Sequence, residues 1–239
     1  SVDVYVFGLQ TGARADPAKP VKGEDGVEGD AARYTPGLRV YGKALDGAVE
    51  FEAEVALQRG NRANDDVSSH AEHLGLGYRL GGALDPRVGL ELNRASGDAD
   101  PKDGQHGTFV PLFGTSHDPF GLMDFFRWQN VEEAALTASA RPHRTIEVEL
   151  QGHAFAVADA HDAWVNTAGK TVRAGRATGG SRYAGLEFDA RAVWTPVRHF
   201  KLEAGAARFL PGTLVEDTQP ADKDVGPADW VYLQLIGQI

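Results

Sequence analysis

Apolar and polar residues alternate along several long segments of this sequence. In AVEFEAEVALQ (48–58) the odd-numbered residues are apolar, and three glutamates and a glutamine lie among the even-numbered ones. TIEVELQGHAF (145–155), YAGLEFDARAVW (183–194) and HLGLGYRL (73–80) repeat the pattern. A helix would scatter these charges around its circumference, whereas a strand places alternate residues on opposite faces. The alternation therefore predicts strands with one apolar and one polar face.

About ten segments show this strand-like alternation. They lie near residues 2–11, 34–45, 48–60, 68–81, 87–97, 131–141, 145–157, 182–195, 200–209 and 229–239. Each approaches the roughly 9–11 residues with which a tilted strand crosses a bilayer. Short connections are predicted at Asp46-Gly47, Gly82 to Pro86 and Pro142-His143, and long ones at 12–33, 98–130, 159–181 and 210–228. Alternating short turns and long loops are typical of outer-membrane barrels. We predict an all-β, antiparallel transmembrane β-barrel forming a single domain over residues 1–239.

Composition narrows the function classes. The net charge of -10 argues against nucleic acid as a partner, because the phosphate backbone attracts basic proteins. The absence of cysteine excludes disulfides, thiolate metal sites and cysteine nucleophiles. The mean hydropathy of -0.33 fits a soluble protein. It fits a transmembrane barrel equally well, because only every second strand residue of such a barrel must be apolar.

A soluble β-sandwich that binds carbohydrate is the alternative fold, because its strands also alternate. Sandwich strands are usually shorter, about 5–6 residues. Aromatic residues near the segment ends fit an interfacial girdle in a membrane barrel; they are Tyr34, Tyr78, Trp194, Phe209, Trp230 and Tyr232.

The stretch 96–130 departs from the alternation and carries spaced motifs. It contains SGDADPKDG, GTFVPLFGTSH and FGLMDFFRWQN, and is followed by HAFAVADAHDAWV, YAGLEFDARAVW, LEAGAARFLPG and DWVYLQL. With these motifs in this order, the sequence resembles the alginate export family of outer-membrane β-barrels. The motif-bearing part spans about residues 87–239, and the first 85 residues share only the strand pattern.

The resemblance implies a pore in the outer membrane of a Gram-negative bacterium, surrounded by lipid. Alginate-secreting members pass an anionic polyuronate through an arginine-lined lumen, so it implies export of a solute such as an anionic polysaccharide or a smaller saccharide. The family's secretion barrels have more strands than this segment count. This leaves open a larger barrel, of which the chain is a fragment. A non-conducting barrel that scaffolds a periplasmic or outer-membrane protein partner is the alternative function.

The polar strand faces should point into the lumen. The candidate pore-lining residues are Arg39, Lys43, Arg79, Arg87, Glu91, Arg141 and Arg191. Two interpretations stay open for them: a ladder of cross-strand ion pairs that stiffens the wall, or a basic arc of Arg39, Lys43 and Arg79 that selects ions. Acids outnumber bases on these faces, so the charges alone do not predict polyuronate transport.

The long loop 98–130 is predicted to form a plug or lid, because it holds too many aromatic side chains to leave in water, and a constriction that contacts a ligand is the alternative. The residues assigned to this role are Phe109, Phe113, His117, Phe120, Asp124, Phe125 and Trp128, with Phe126 beside them.

Metal and catalytic signals are weak. Asp98, Asp100 and Asp103 precede Gly104 with part of the spacing of a calcium loop, although turn formation also explains them. No other cofactor is predicted.

His70 and His73, three residues apart on a strand, should face opposite sides. The sequence lacks the G-x-S-x-G, P-loop and H-E-x-x-H motifs, and we predict that the protein is not an enzyme.

Overall fold

A computed structural model describes residues 1–11, 30–112, 119–220 and 222–237. In chain order its elements are β1 (Val2–Thr11), β2 (Ala31–Ala44), a 3-10 turn (Leu45–Gly47), β3 (Val49–Arg62), β4 (Asp65–Arg79), β5 (Arg87–Ala95), β6 (Gln105–His106), β7 (Val131–His143), β8 (Ile146–Ala156), β9 (Trp164–Val165), β10 (Thr171–Arg173), β11 (Tyr183–Val197), β12 (Phe200–Pro211), α1 (Thr213–Thr218) and β13 (Ala228–Gly237). The ten long strands pair antiparallel in the order β1-β2-β3-β4-β5-β7-β8-β11-β12-β13.

The strand pattern read from the sequence is confirmed. Each predicted segment corresponds to one long strand, with ends that differ by a few residues. The turn predicted at Pro142-His143 lies slightly later, at 144–145, because the alternation continues through His143. The alternation of short and long connections has one exception, the two-residue turn at 63–64, where Ala63 takes a positive φ of 52°. Strands β6, β9 and β10 and helix α1 lie in the long loops and were not predicted.

The two faces of the sheet differ in polarity, as the alternation predicts. Each of the ten long strands exposes large apolar side chains on one face: Val2, Val4, Val6, Leu38, Phe51, Val55, Leu57, Leu74, Leu76, Leu90, Leu92, Leu136, Val148, Leu150, Phe188, Leu210, Val231, Leu233 and Leu235. A soluble monomer rarely exposes so continuous an apolar surface. The pattern is that of a barrel wall with lipid outside. We call the opposite, polar face the lumen face.

The lumen face is concave. One cavity of about 650 Å³ is lined by residues of β5, β7, β8, β11, β12 and β13. A flat sheet could not bring β5 and β13 around one cavity, so the sheet curves with its polar face inward. Among the described residues, β1 and β13 are the two ends of the pairing path. The all-β, antiparallel fold class is thereby confirmed.

The hydrophobic core lies inside this curve, at the end where the long loops emerge. Its largest members are Phe109, Phe120, Phe126, Phe155, Trp164, Phe209 and Leu214. The sandwich alternative is wrong, because a sandwich buries the apolar faces of two sheets against each other. Here the apolar face is exposed, and the second sheet within the described ranges is the small β9–β10 pair. In the described part of the chain, no helix has the length and apolarity needed to span a membrane.

Candidate functional site

Basic side chains gather on the lumen face at the end with the short turns. Glu50 on β3 is their centre: its carboxylate lies 2.7 Å from Lys43 Nζ, 3.1 Å from Arg87 Nε and 3.7 Å from Arg79 Nη2. Arg79 also lies 3.0 Å from Asp85 Oδ2 in the β4–β5 turn. The paired strands bring these residues together because each side chain points inward at the same level.

Arg141 extends this group across the sheet. Its guanidinium lies 3.5 Å from Asp85 and 3.2 Å from Glu147. We call the whole set the turn-end cluster; it comprises Lys43, Glu50, Arg79, Asp85, Arg87, Arg141 and Glu147. A further cavity of about 210 Å³ is lined by most of these residues. The cluster therefore borders open space.

The other two basic candidates belong to ion pairs farther along the lumen face. Arg39 Nε lies 2.7 Å from Glu52 Oε1. Arg191 forms a two-point contact with Glu203, at 2.9 Å and 3.2 Å, and reaches Glu149 at 3.8 Å. Every predicted basic residue thus has a carboxylate partner. This geometry supports the ion-pair ladder, and the pore-lining role of these residues stays a prediction.

The 650 Å³ cavity, which we call the central cavity, lies between the turn-end cluster and the core. Arg87, Glu91 and Arg191 are the predicted lumen residues that line it. Its other polar and aromatic lining residues lie outside the predicted set of pore-lining candidates; among them are Glu149, Gln151, Asp189, Glu203, Trp230, Tyr232 and Gln234. A second cavity of about 440 Å³ is also lined by Arg87 and Glu91, on the side toward β2.

The assignment of aromatic residues to an interfacial girdle is wrong for three of them. Trp230 and Tyr232 line the central cavity, and Phe209 is buried in the core. Tyr34, Tyr78 and Trp194 do lie exposed. The pattern in DWVYLQL could have located the inward pair, because Val231, Leu233 and Leu235 occupy the alternate, outward positions.

The described parts of the loop 98–130 pack across the loop end of the lumen face. Phe126 is 1% exposed and stacks between Phe155 of β8, at 4.1 Å between ring centroids, and Trp164, at 4.4 Å. Phe125 meets Phe209 of β12 edge to face at 5.2 Å. These rings lie inside the curve of the sheet, and the role of the loop as a plug or lid stays a prediction.

Hydrogen bonds attach the loop to strands on both sides of the curve. Gln58 of β3 bonds both backbone groups of Val110, with Nε2 2.7 Å from its oxygen and Oε1 3.1 Å from its nitrogen. On the far side, the N–H of Leu122 donates to Asp189 and that of Met123 to Glu187, at 3.0 and 2.9 Å. Since Gln58 lies on β3 and the two acids on β11, the loop bridges the lumen.

A row of buried polar side chains runs beneath the loop. Asn93 Nδ2 donates to Glu133 Oε2 at 2.6 Å, and Glu133 Oε1 lies 2.6 Å from Nδ1 of His153. His153 Nε2 lies 3.5 Å from Asp189, one of the acids that hold the loop. Buried charged groups of this kind need partners, and the row supplies them across β5, β7, β8 and β11.

One family model matches most of the chain and decides its family membership. The family model described as alginate export matches residues 3–228 of the 239. The chain belongs to the alginate export family. This is a family of outer-membrane export proteins, not of enzymes. The match includes the N-terminal part, where only the strand pattern had suggested a relationship. No curated protein matches the sequence.

In this alginate export protein, the family motifs join two long loops. Asn130 donates from Nδ2 to the oxygens of Asp159 and Ala163, and its Oδ1 accepts the N–H of Asp159. Trp164 of the DAW motif donates from Nε1 to the oxygen of Phe125 at 2.6 Å. The motifs therefore hold the loop that packs in the barrel mouth.

Asp162 makes a second junction between the same loops. Its Oδ2 accepts the Thr108 hydroxyl at 2.6 Å and the N–H of Asp98 at 3.1 Å. Burial raises the pKa of Asp162, against the effect of these donors. Burial also raises the pKa of Asp98, and the nearby Asp162 carboxylate adds to the effect. The junction thus holds two acids that both resist ionisation.

Of the other predicted loop residues, Phe109 and Phe120 are buried, and Trp128 packs against Phe109 at 5.6 Å. Asp124 has a positive φ of 57°, and its oxygen accepts the N–H of Thr167. Phe113 and His117 lie outside the described residues.

The aspartates proposed for calcium bind local backbone instead of converging on one point. Asp98, Asp100 and Asp103 each accept an N–H from the residue two positions later. Over the described ranges, no group of three or more His, Asp or Glu side chains has a metal-holding arrangement. Calcium binding here stays a prediction, and turn formation accounts for these carboxylates.

His70 and His73 point to opposite faces, as predicted. His73 Nδ1 lies 2.8 Å from Asn93 on the lumen face, and His70 lies beside Glu72 on the outer one.

Proposed function

We propose that this chain forms a channel wall in the outer membrane of a Gram-negative bacterium and that a hydrophilic solute, of the saccharide class, passes along its lumen face. The observation that carries the proposal is the central cavity, which is polar and bounded by six strands of a sheet whose outer face is apolar. Such a wall separates lipid from water.

Strand length supports the same proposal. The long strands run from nine residues in β5 to fifteen in β4 and β11. Each therefore reaches the roughly 9–11 residues of a tilted membrane strand. Family membership adds export as the general role, and the concave charged face gives a solute a path that lipid does not reach.

Single-channel recording in a planar bilayer tests the proposal, using the longest natural form of the chain. We expect discrete, stable current steps, and a reversal potential under a salt gradient that reports which ion passes more easily. Protein that inserts, shows a heat-modifiable band on a denaturing gel and yet carries no current would contradict a channel.

The loop across the lumen favours a second candidate, a closed barrel that scaffolds a partner. The aromatic stack of the loop lies in the barrel mouth. Gln58 and Asp189 hold the loop there through hydrogen bonds to its backbone. Deleting residues 105–126 separates the two candidates. Larger current steps after deletion indicate that the loop restricts a channel, whereas continued silence in a heat-modifiable barrel favours the scaffold.

A further inference from the structure

We propose that the central cavity binds a saccharide without carboxylate groups in preference to a polyuronate. The inference rests on the channel proposed above, whose cargo it specifies. Family membership alone suggests an anionic polymer. The charges and aromatic groups of this cavity suggest a different ligand.

The size and outline of the cavity suit a small ligand. Its volume of about 650 Å³ lies within the range of roughly 300–1,000 Å³ of ligand pockets. Leu122 of the loop lines the cavity, and its N–H donates to Asp189. A solute moving along the lumen face would therefore pause beneath the loop.

The wall formed by β13 supplies aromatic surface. Trp230 and Tyr232 lie with ring centroids 4.8 Å apart and planes inclined by 33°. Both line the cavity. Pyranose rings present a face of C–H groups that packs on aromatic rings, and an aromatic side chain combines this surface with a polar tip. The Tyr232 hydroxyl is held by a 2.6 Å hydrogen bond to Glu203.

The remaining walls supply groups that bond hydroxyls. Gln151, Gln234 and Thr137 line the cavity beside the acids. Amides and hydroxyls both donate and accept, and carboxylates accept from two neighbouring hydroxyls at once. Sugar hydroxyls act as donors and acceptors in the same way. The polar lining therefore matches a ligand rich in hydroxyl groups.

Charge separates neutral saccharides from uronates. The cavity lining contains four carboxylates, Glu91, Glu149, Asp189 and Glu203, against two guanidiniums, Arg87 and Arg191. Both guanidiniums already contact carboxylates, Arg191 at two points on Glu203. A uronate would lie among like charges or have to displace an existing partner.

Asp189 strengthens this selection. Its Oδ2 accepts the N–H of Leu122, while Oδ1 is buried without a hydrogen-bond partner among the described residues. Asp189 also adds negative charge to the cavity wall, which disfavours an incoming carboxylate. The site therefore disfavours negative charge by repulsion, and among the described lining residues both guanidiniums already contact carboxylates.

Calorimetry on the folded protein in detergent tests the inference without requiring conduction. The probes are cellotriose and a trimannuronate of equal length, each titrated at moderate salt. We expect cellotriose to bind at least about tenfold more tightly than the trimannuronate. The reason is that the carboxylates of the cavity repel those of the trimannuronate. Equal binding, tighter binding of the trimannuronate, or no binding of either sugar would overturn the inference.

Three variants locate the binding. Trp230→Ala should weaken cellotriose binding about tenfold, whereas Trp194→Ala, which removes the same side chain from the outer face, should leave it unchanged. The double variant Glu91→Gln with Glu149→Gln should reduce the ratio of cellotriose affinity to trimannuronate affinity, because it removes two of the carboxylates that repel the uronate. Equal effects of the two tryptophan variants, or an unchanged preference in the double variant, would place the ligand elsewhere and overturn the assignment.

The bilayer experiment keeps this test apart from that of the channel. Silent protein that still prefers cellotriose would overturn conduction and support the site. Conducting protein that prefers trimannuronate would support the channel and overturn the site.

Discussion

The two ends of the lumen face are built on the same strands and differ in almost every other respect. At the loop end, Phe126 and Phe155 stack in a buried interior beside the buried pair Glu133 and His153. At the turn end, Glu50 and its basic partners are partly exposed and border open cavities. One alternating pattern in the sequence thus produces two different environments.

The difference shows what each end contributes. Buried aromatic rings at the loop end should stabilise the barrel, because they remove large apolar areas from water. Exposed ion pairs contribute little stability, about 0.2–1 kcal/mol each. They do set the potential that a passing ion experiences. We therefore expect stability and loop position to depend on the loop end, and ion selectivity on the turn end.

The largest effect is expected from Phe126→Ala. Removing a fully buried ring from between Phe155 and Trp164 should cost about 3–5 kcal/mol. The loop should lose its place in the barrel mouth. Protease cleavage within the loop, followed with time in folded protein, measures this release.

Phe188→Ala is the matched control, since Phe188 is 51% exposed on the outer face. Its loop should stay as resistant as that of the unaltered protein. Equal cleavage in the two variants would show that the aromatic stack does not hold the loop.

A smaller effect is expected from Gly121→Ala, also at the loop end. Gly121 has φ +79°, and a Cβ there would lie 2.5 Å from Oε1 of Glu187, which accepts the N–H of Met123. Backbone strain of about 1–3 kcal/mol adds to this clash. Loop cleavage should accelerate, less than in Phe126→Ala.

Gly104→Ala is the control, because it introduces the backbone strain of a positive φ without a side-chain clash. Gly104 has nearly the same φ, +81°, and open space around the position of a Cβ. If Gly104→Ala opens the loop as much as Gly121→Ala, the contact with Glu187 does not matter.

The sequence predicted the sheet well because alternation is a local property. Each residue of 48–58 indicates its own face, whatever the rest of the chain does. The position of Trp230 was missed for a different reason. Its nearness to Arg87 depends on how strongly the sheet curves, which brings β5 and β13 around one cavity. Curvature is a property of all the strands together, and no short pattern reports it.

The loop was predicted to fold back from its aromatic content alone, but its attachment points were not. Gln58 lies about 50 residues before Val110, and Asp189 more than 60 after Leu122. Each acceptor reads in the sequence as another polar residue on a strand. Pairing them requires the strand order and the depth to which the loop descends.

At the turn end, Glu50→Gln should change selectivity more than stability. The substitution removes the carboxylate that Lys43, Arg79 and Arg87 share. Unfolding free energy should fall by less than about 1 kcal/mol for each exposed pair. The reversal potential under a salt gradient should shift in the direction of anion selectivity, because three basic side chains lose the carboxylate that they share.

Glu72→Gln makes the same charge change on the outer side of β4, where Glu72 lies beside His70. It should leave the reversal potential unaltered. A shift of equal size in both variants would mean that the net charge of the protein, not the turn-end cluster, determines selectivity.

The smallest effect concerns pH and the junction of the two loops. The pKa of Asp98 and of Asp162 is raised by burial, so the folded loops hold protons more tightly than the unfolded chain. Below the ordinary aspartate pKa both states are protonated, and the folded loops carry no penalty. As pH rises from there through the raised values, ionisation costs more in the folded loops, and their stability falls.

Asp98→Asn removes one member of this pair and its repulsion of Asp162. We expect the variant to hold the loop slightly more firmly than the unaltered protein near neutral pH, and the difference to vanish in acid. Loop protection measured by hydrogen exchange at several pH values gives the comparison. An advantage of the variant that grows as pH falls would contradict the burial argument, because only a penalty for ionised carboxylates disappears on protonation.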